Sequence, residues 1–432
     1  MKNSGVEWIG EIPDDWEVKP VKRYFSHIKR IVGNDVDKYE RLSLTMQGVL
    51  KRSKADAEGL QPEKFNGYQI LKQNELVFKL IDLENVNTSR VGISPFNGLV
   101  SPAYIILTNN KKNNTFYYYW FLNMYYQEIF NKLGDGGVRS TLNASDVLIL
   151  PMVYLSDETQ QKIAAYLDSK CSKIEETIRN QQQVIEKLKA YKQSLITEAV
   201  TGKIKIQNGK ACGKYEEYKD SGVEWIGKIP SGWDIKKFKF IVNSFKKGNG
   251  ITKDQVFADG DTLCVRYGEL YTKYNYSFTE CFSKTKKDVL QTLQYFSYGD
   301  ILFTCTGELI EEIGKNTVYL GTKKCLAGGD LIIASHSQNP TFLSYALNSD
   351  YAQTQKSMGK AKLKVVHISA REIGNILTIL PPIDEQEKIA NFLDKQCIAI
   401  DSAIEQKQNL IEKLTEYKKS LIYECVTGKR VL

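Results

Sequence analysis

Residues 4–16 read SGVEWIGEIPDDW, and residues 221–233 read SGVEWIGKIPSGW. The two stretches are identical at ten of thirteen positions and lie in opposite halves of the chain. Internal repeats are established first, because a repeat of this kind determines the architecture of the whole chain. We therefore expect a chain built from two copies of one structural unit.

A second repeated block follows each copy. Residues 161–178 (QKIAAYLDSKCSKIEETI) match residues 387–404 (EKIANFLDKQCIAIDSAI) without a gap. Residues 185–203 (IEKLKAYKQSLITEAVTGK) match residues 411–429 (IEKLTEYKKSLIYECVTGK), and the offset between the two copies is the same as for the first match. The stretches between the repeats have diverged. The chain thus alternates variable and helical blocks, as expected for a duplication followed by specialisation.

The helical blocks carry apolar side chains at alternating intervals of four and three residues, which is the spacing of a coiled-coil seam. Each predicted helix has about 40 residues and would span roughly 60 Å. One small domain cannot bury an apolar stripe of that length, so we expect the two helices to pair with each other. Since each helix leads out of a different variable block, the pair should be antiparallel. The predicted seam residues are Leu167, Ile174, Ile178, Ile185, Leu188, Leu195, Leu393, Ile400, Ile404, Ile411, Leu414 and Leu421.

The same register places polar side chains on the seam. Lys192 and Lys418 are one such pair, and Gln181 and Lys407 lie near the middle. For the middle pair two interpretations stay open: the residues set the register at some cost in stability, or they are tolerated near solvent.

The variable blocks predict an α+β fold with a pseudo-two-fold relation between the two halves of the chain. Short β-favouring runs alternate with turns, at Ala103–Leu107, Val147–Leu150, Val318–Leu320 and Ile376–Leu380. Residues 117–130 and 340–358 are predicted to be helical. The predicted domains are a first domain with a variable block (1–155), a first long helix (156–203), a linker with the second such domain (204–383) and a second long helix (384–432).

Composition excludes several protein classes. The chain has 432 residues, 42% hydrophobic and 25% charged, which is typical of ordinary globular domains. Its start lacks an apolar signal segment and no apolar run could cross a bilayer, so we expect a cytoplasmic protein with no membrane partner. The eight cysteines form no C-x-x-C pair and are expected to be reduced thiols. The net charge of +8 is compatible with a polyanionic partner but does not by itself identify one.

Motifs of catalysis are missing from the sequence. There is no (N/D)-P-P-(Y/F) loop for an extruded base and no G-x-x-x-x-G-K-(S/T) loop for nucleotide phosphates. The E-x-K tripeptide at Glu416–Lys418 imitates a nuclease motif, but its duplicate has Ala190 in place of the glutamate. The three histidines show no metal-ligand spacing. We therefore expect no catalytic site and no metal site in this chain.

The duplicated order resembles the specificity subunits of type I restriction-modification systems. The resemblance covers nearly the whole chain and is carried by the two SGVEWIG(E/K)IP segments, the repeated IEKL and the VTGK endings. It is also carried by the Leu-Pro steps at Leu150–Pro151 and Leu380–Pro381 and by the helix start at Asp384–Asp394. After its Leu-Pro step the first copy is four residues longer, so the start of its helix is expected to differ.

The resemblance implies a non-catalytic subunit that binds double-stranded DNA. Two target-recognition domains would each read one half of a bipartite target, and the helices would set the spacing between the halves. The implied partners are two methyltransferase subunits, docked on the helices, and restriction subunits that act as motor and nuclease. This chain would hold no cofactor, whereas its partners would use S-adenosylmethionine, ATP and magnesium.

Candidate DNA contacts occur in both variable blocks. Affinity requires donors aimed at phosphates, and specificity requires a few side chains at base edges. Arg139 and Arg266 are favoured for guanine, because a guanidinium fork donates to both O6 and N7. Lysines that alternate along an edge strand have a structural alternative, since they also prevent edge-to-edge aggregation. The candidates of the first block are Lys51, Arg52, Lys54, Arg90, Arg139 and Ser140, and those of the second are Arg266, Tyr267, Lys360, Lys362 and Lys364.

Arg139 and the lysine run 360–364 hold corresponding positions, each ahead of the last predicted strand of its block.

Two other functions compete with DNA recognition. A coiled-coil scaffold without DNA binding explains the helices but leaves two similarly built variable blocks unexplained. A metal-dependent nuclease is the third hypothesis, and it lacks clustered carboxylates.

Overall fold

A computed structural model describes residues 1–55, 64–83, 89–111, 113–133, 141–224, 226–248, 250–360 and 365–432. The chain divides into two compact units. The first unit comprises residues 1–181 and 408–432, and the second comprises residues 182–407. Each unit thus contains one variable block and a part of both long helices.

The first unit combines two four-stranded sheets with short helices. Its helices are α1 (Thr115–Tyr126), α2 (Ile129–Leu133), α3 (Ala144–Ile149) and the beginning of α4 (Asp157–Val200), with 3-10 turns at Val21–Arg23 and Val36–Lys38. Its strands are β1 (Lys2–Asn3), β2 (Glu11–Ile12), β3 (Glu17–Pro20), β4 (Ser26–His27), β5 (Arg41–Thr45), β6 (Gly48–Arg52), β7 (Gln69–Leu71), β8 (Leu76–Phe78), β9 (Val91–Ile93), β10 (Gly98–Val100), β11 (Ile105–Thr108) and β12 (Pro151–Tyr154). One sheet has the order β6-β5-β10-β7 and the other β4-β11-β8-β9, while β12 pairs with β3 and β1 with β2.

The second unit contains the remaining elements. Its helices are α5 (Tyr267–Thr272), α6 (Pro340–Leu347), α7 (Asp350–Ser357), α8 (Ala370–Gly374) and the beginning of α9 (Ile383–Val426), with 3-10 turns at Phe238–Phe240, Lys253–Gln255, Lys287–Val289 and Ile310–Glu312. Its strands are β13 (Ile206–Gln207), β14 (Lys210–Ala211), β15 (Tyr218–Asp220), β16 (Lys228–Pro230), β17 (Asp234–Lys237), β18 (Val242–Lys247), β19 (Thr262–Val265), β20 (Ser277–Phe278), β21 (Ser283–Thr285), β22 (Tyr295–Phe296), β23 (Ile301–Thr304), β24 (Thr306–Gly307), β25 (Asn316–Tyr319), β26 (Cys325–Ala327), β27 (Leu331–His336), β28 (Val366–His367) and β29 (Leu377–Leu380).

The two units repeat one topology. The sheet β21-β19-β26-β22 matches β6-β5-β10-β7, and in both the two central strands are parallel while the outer pairs are antiparallel. The sheet β18-β27-β23-β25 matches β4-β11-β8-β9, and the second unit extends it by β20. The pair β29–β17 likewise matches β12–β3. The α+β fold with an internal duplication is therefore confirmed.

Side-chain contacts recur at the offset of the helical repeat. Tyr119 donates to Asp168 at 2.9 Å, and Tyr345 donates to Asp394 at 2.8 Å. Both residues of the second bond are the repeat equivalents of those in the first. Burial raises the pKa of both carboxyl groups. Each bond ties a short helix of the variable block to the long helix that follows it.

The long helices run antiparallel within each unit. Both have 44 residues. In the first unit the start of α4 shares an apolar core with Leu421, Cys425 and Val426 near the end of α9. In the second unit the end of α4 shares a core with the start of α9, around Leu393 and Cys397. All twelve predicted seam side chains are buried or half-buried, so the predicted coiled-coil seam is confirmed.

Two ion pairs join the helices at equivalent positions. In the first unit Lys418 Nζ lies 2.6 Å from Glu175 Oε1, and in the second Lys192 Nζ lies 2.7 Å from Asp401 Oδ2. Both lysine side chains are largely buried, with 15% and 12% exposed. The two lysines are repeat equivalents of each other, and so are the two carboxylates. The helix register is therefore itself duplicated.

The repeated I-P-x-x-W segment packs against the end of a long helix. In the first unit Pro13 and Trp16 contact the position of Gly428, where an added Cβ would lie 2.4 Å from the Pro13 ring. In the second unit Pro230 and Trp233 contact Gly202 in the same way. Each copy of the I-P-x-x-W segment therefore packs on the glycine at the end of a long helix. This contact explains why the segment and the glycine are repeated together.

Local predictions around the helix starts are wrong. Val147–Leu150 lies largely within α3, because Asn143 and Asp146 form a capping box that starts a helix there. The two Leu-Pro steps are not equivalent either, since Pro151 begins β12 whereas Leu380 ends β29. The long helices begin at Asp157 and Ile383, which are equivalent positions of the helical repeat, so the predicted difference between the helix starts is absent.

The helical predictions for residues 117–130 and 340–358 are confirmed, with a break in each. Helices α1 and α2 occupy the first stretch, and α6 and α7 the second. Among the described residues, no helix is long and apolar enough to span a membrane.

Candidate nucleic-acid interface

Arg266 and Tyr267 lie at a strand-to-helix junction of the second unit. Arg266 follows β19, and its backbone N–H donates to Glu269 Oε2 at 2.8 Å. The other oxygen of Glu269 accepts from the Ser283 hydroxyl on β21. Arg266 is half-buried and Tyr267 is 42% exposed. The first turn of α5 is thus anchored to the sheet by a buried carboxylate.

The other side of α5 is anchored through Tyr271. Its hydroxyl lies 2.8 Å from Thr304 Oγ1 and donates to the Thr306 carbonyl at 3.0 Å. Burial raises the pKa of Tyr271, so the phenol stays protonated as a donor. Thr306 pairs with His367 across β24 and β28, and Lys360 Nζ donates to the His367 carbonyl at 2.6 Å. A continuous set of contacts therefore links the two predicted groups of the second block.

Lys360 is engaged inside its own unit. Its ammonium forms an ion pair with Glu372 at 2.5 Å, and 16% of its side chain is exposed. Glu372 also accepts from Ser369 and so caps α8. Burial alone would raise the pKa of Glu372, but hydrogen bonds from Lys360 and Ser369 outweigh it and hold the value at about 2. Lys360 therefore has an internal role in addition to the predicted DNA contact. Lys362 and Lys364 lie outside the described residues.

The basic residues of the first unit lie on and after an edge strand. Lys51 and Arg52 belong to β6, and Lys54 follows it. Lys51 Nζ is 2.6 Å from Glu40 Oε2, and Lys54 Nζ donates to the Val36 carbonyl at 2.7 Å. The three side chains line a shallow depression that also contains Glu40. The Lys51–Glu40 pair is exposed and contributes only about 0–1 kcal/mol, so a phosphate can compete for the lysine.

Arg90 is a core residue, and the prediction that it lies on a DNA-facing surface is wrong. Its side chain is 1% exposed. The guanidinium donates to the carbonyl oxygens of Lys79, Ile81 and Asp82 at 3.2, 2.8 and 2.7 Å. A buried charge requires such partners, and here it satisfies the carbonyls of the segment after β8. Arg90 thus stabilises the segment after β8 by hydrogen bonds from a buried position.

Arg139 and Ser140 lie outside the described residues and stay predictions. The elements that flank them correspond to those around the lysine run. The first segment lies between α2 and α3, the second between α7 and α8. Helix α3 is capped by Asn143 and Asp146, and α8 is capped by their repeat equivalents Ser369 and Glu372. The described neighbours are therefore in the corresponding positions that the sequence predicted.

The topology also identifies basic residues that the sequence analysis missed. Strand β21 is the counterpart of β6, and it carries the exposed Lys284. Lys286 follows it and pairs with Asp259 at 2.8 Å, and Lys287 is exposed. The signal was present in the sequence, since KRSK at 51–54 and KTKK at 284–287 are similar basic runs. Strand assignment was needed to align them.

No protein-family model matches the chain. Among curated proteins, it is 24% identical over 454 residues to a protein of Methanocaldococcus jannaschii that is named as the putative specificity subunit of the type I restriction enzyme MjaX. That alignment covers 98% of this chain and 95% of the relative. The MjaVIII specificity subunit of the same organism is 24% identical over 245 residues, covering 54% of each chain.

The fold is also found among solved structures. A chain from a structure that describes complex assembly and conformational transition of a type I restriction-modification system matches with a TM-score of 0.67. The match covers 97% of this chain and all of the other, at 13% sequence identity, and so concerns the fold alone. The predicted resemblance to type I specificity subunits is thereby confirmed: this chain is similar in sequence to one of them over nearly its whole length and to a second over about half, and it shares its fold with a chain of such a system.

Proposed function

We propose that this chain is the DNA sequence-specificity subunit of a type I restriction-modification complex. The observation that carries the proposal is one fold built twice with different surfaces. Strand order and helix register are equivalent in the two units, whereas the sequences of the variable blocks differ. Base readout depends on a few side chains, while the fold only positions them. Two equal frameworks with unlike side chains suit the reading of two unlike half-sites.

The long helices support partner docking by two copies of one subunit. Val184 and Tyr191 are exposed on α4, and Leu410 and Tyr417 are exposed at the equivalent positions of α9. Residues seven apart lie on the same face of a helix. Apolar side chains that stay exposed in such a pattern are typical of an interaction surface, and a duplicated surface suits two identical partners. We assign these faces to methyltransferase subunits and assign to the helices the spacing between half-sites.

The chemistry is assigned to the partner subunits. In this proposal S-adenosylmethionine, ATP and magnesium bind there, and restriction subunits join the same complex. Support comes from the sequence, in which neither a base-extruding methyltransferase loop nor a nucleotide-phosphate loop occurs.

The proposed DNA surface has two kinds of contact. Lys51, Arg52 and Lys54 in the first unit and Lys284 and Lys287 in the second would contact phosphates from equivalent edge strands. Phosphate contacts release counterions, so binding should weaken steeply as salt rises. Arg266 and Tyr267, together with Arg139 and Ser140, are the proposed contacts to bases. Lys362 and Lys364 would add phosphate contacts.

The test is a methylation map. The chain is expressed with methyltransferase partners in a host without such a system, and methylated adenines are located by sequencing. We expect methylation at one bipartite motif, present only when this chain is present. An unchanged pattern without the chain would contradict the proposal. A scaffold without DNA binding would in addition show no salt-dependent affinity of the assembled complex for duplex DNA.

A further inference from the structure

The two units differ at one point of an otherwise matching sheet. In the first unit β5 and β6 are joined by a tight hairpin through Met46 and Gln47. In the second unit the corresponding strands β19 and β21 are separated by residues 266–282, which include α5 and β20. This insertion gives the second unit a helix at the sheet edge where the first has a turn.

The inserted helix is held rigidly, and mostly by polar contacts. Glu269 is 7% exposed and joins the Arg266 backbone to Ser283 on β21. Leu270 is completely buried, and Tyr271 bonds to the segment after β23. Anchoring at successive positions fixes the direction in which Arg266 and Tyr267 leave the sheet. Rigid support of this kind is what precise recognition requires.

The backbone of Arg266 is placed by a neighbouring glycine. A Cβ added at Gly328 would lie 2.9 Å from the Val265 carbonyl oxygen and 3.1 Å from Arg266 Cα. A residue with a side chain at this position would therefore displace the junction. The close approach of the segments after β19 and β26 holds Arg266 at one place.

The side chain of Arg266 has donors that the unit does not use. Its Nε is buried without a hydrogen-bond partner, and no hydrogen bond or ion pair joins its guanidinium to another residue of the described part of the chain. The other described basic residues that the sequence predicted as DNA contacts have interactions within the chain, such as Lys51 with Glu40 and Lys360 with Glu372. Leaving a buried donor unpaired is unfavourable, so an acceptor from a ligand would complete the site.

We infer that Arg266 is a specificity-determining residue of the second unit, whose guanidinium reads a guanine in one half of the DNA target. The inference rests on the proposed function, which names Arg266 as a base contact, and adds to it the base and the way in which that base is read. A guanidinium fork on a rigid element suits O6 and N7 of guanine, and the exposed Tyr267 beside it supplies an aromatic surface. The hairpin of Met46 and Gln47 offers no guanidinium at the equivalent place, so the two half-sites are read differently here.

The experiment compares three chains, each expressed with methyltransferase partners: wild type, Arg266→Lys and Arg179→Lys. Lysine keeps the charge at 266 but loses the fork. Arg179 is an exposed arginine of α4 and is the matched control. We expect the wild-type motif to contain a guanine in one half that Arg266→Lys no longer requires. Discrimination at that base pair should fall by roughly 5- to 150-fold, and all other positions and the control should stay unchanged.

Binding of the assembled complexes to duplexes substituted at each position provides the second measurement, with Arg266→Gln as an uncharged variant. The inference is overturned if Arg266→Lys keeps the wild-type motif, relaxes positions in both halves, or weakens binding equally to every duplex, as a phosphate contact would. Failure of both variants to assemble would also overturn it, because Arg266 would then have a structural role. A wild-type chain that directs no bipartite methylation refutes the proposed function instead.

Discussion

At the residue scale, the ends of the long helices depend on two glycines. Gly202 and Gly428 both have a φ of 73°, in the left-handed region that favours glycine. Each glycine also leaves room for the proline of an I-P-x-x-W segment, since a Cβ added to the glycine would lie 2.4 Å from the proline ring. Two independent requirements therefore exclude a side chain at these positions.

We expect Gly428→Ala to lower the free energy of unfolding by about 2 kcal/mol, because it adds left-handed strain to a steric clash. Urea denaturation followed by circular dichroism measures this change. Gly232→Ala is the control, as its position is open and has no positive φ. Equal effects of the two substitutions would contradict the role given to Gly428.

Glu372 makes stability depend on pH in a defined range. Its pKa is lowered from 4.5 to about 2, so its contribution is complete above pH 4.5 and is lost as pH falls towards 2. At neutral pH we expect Glu372→Gln to cost up to about 1 kcal/mol, because the side chain is half exposed. The difference between wild type and variant, measured by urea denaturation, should shrink between pH 5 and pH 3. A difference that grows on acidification would refute the pairing.

Two arginines show that local sequence does not determine whether a basic side chain is buried or available to a ligand. Arg90 precedes β9 and Arg266 follows β19, and nothing in their neighbouring residues separates the two arginines. Arg90 is buried because carbonyl groups 8–11 residues earlier in the chain turn towards it. Arg266 keeps unused donors because Glu269 bonds its backbone and not its side chain. Both outcomes depend on loop conformation, which local sequence does not specify.

At the element scale, the helix pair is fixed by an apolar seam with two equivalent ion pairs. Lys192–Asp401 and Lys418–Glu175 lie at the same positions of the repeat, with both lysines largely buried. A largely buried lysine that loses its partner leaves a charge without compensation. The pairs therefore favour the observed antiparallel register over shifted ones.

Charge reversal tests this register. We expect Lys192→Glu to destabilise the chain by about 1–3 kcal/mol, and the double substitution Lys192→Glu with Asp401→Lys to recover most of the loss. Lys418→Glu with Glu175→Lys should behave alike, because the contacts are equivalent. Denaturation midpoints of the single and double variants provide the measurement. Absence of recovery in both pairs would show that these contacts do not set the register.

Elements with a long, regular pattern were predicted well, and short ones were not. The seam predicted both 44-residue helices and their antiparallel pairing. Apolar residues spaced by four and three over many turns are typical of a coiled-coil helix and of few other structures. Val147–Leu150 is too short for such a pattern, and the capping box of Asn143 and Asp146 decided its structure. Other short β-favouring runs were predicted correctly, since Ala103–Leu107 overlaps β11 and Val318–Leu320 overlaps β25.

At the scale of the whole molecule, one chain carries the same unit twice. The repeated parts of the sequence build the helix pair and the motif that covers each helix end. The diverged parts build matching sheets with different edges, a hairpin in one unit and the inserted α5 in the other. Repetition thus preserves the framework, and divergence changes the surfaces that it presents. In the proposed function this arrangement allows one subunit to read two unlike half-sites.

The most direct test of this account exchanges one variable block. Residues 17–150 are replaced by the corresponding block of a type I specificity subunit with a known target, the chain is expressed with methyltransferase partners, and methylated adenines are mapped. The account predicts a new sequence in one half of the motif, with the other half unchanged. Exchange of residues 234–380 should alter only the other half. A single exchange that changes both halves, or neither, would contradict the division of recognition between the two units.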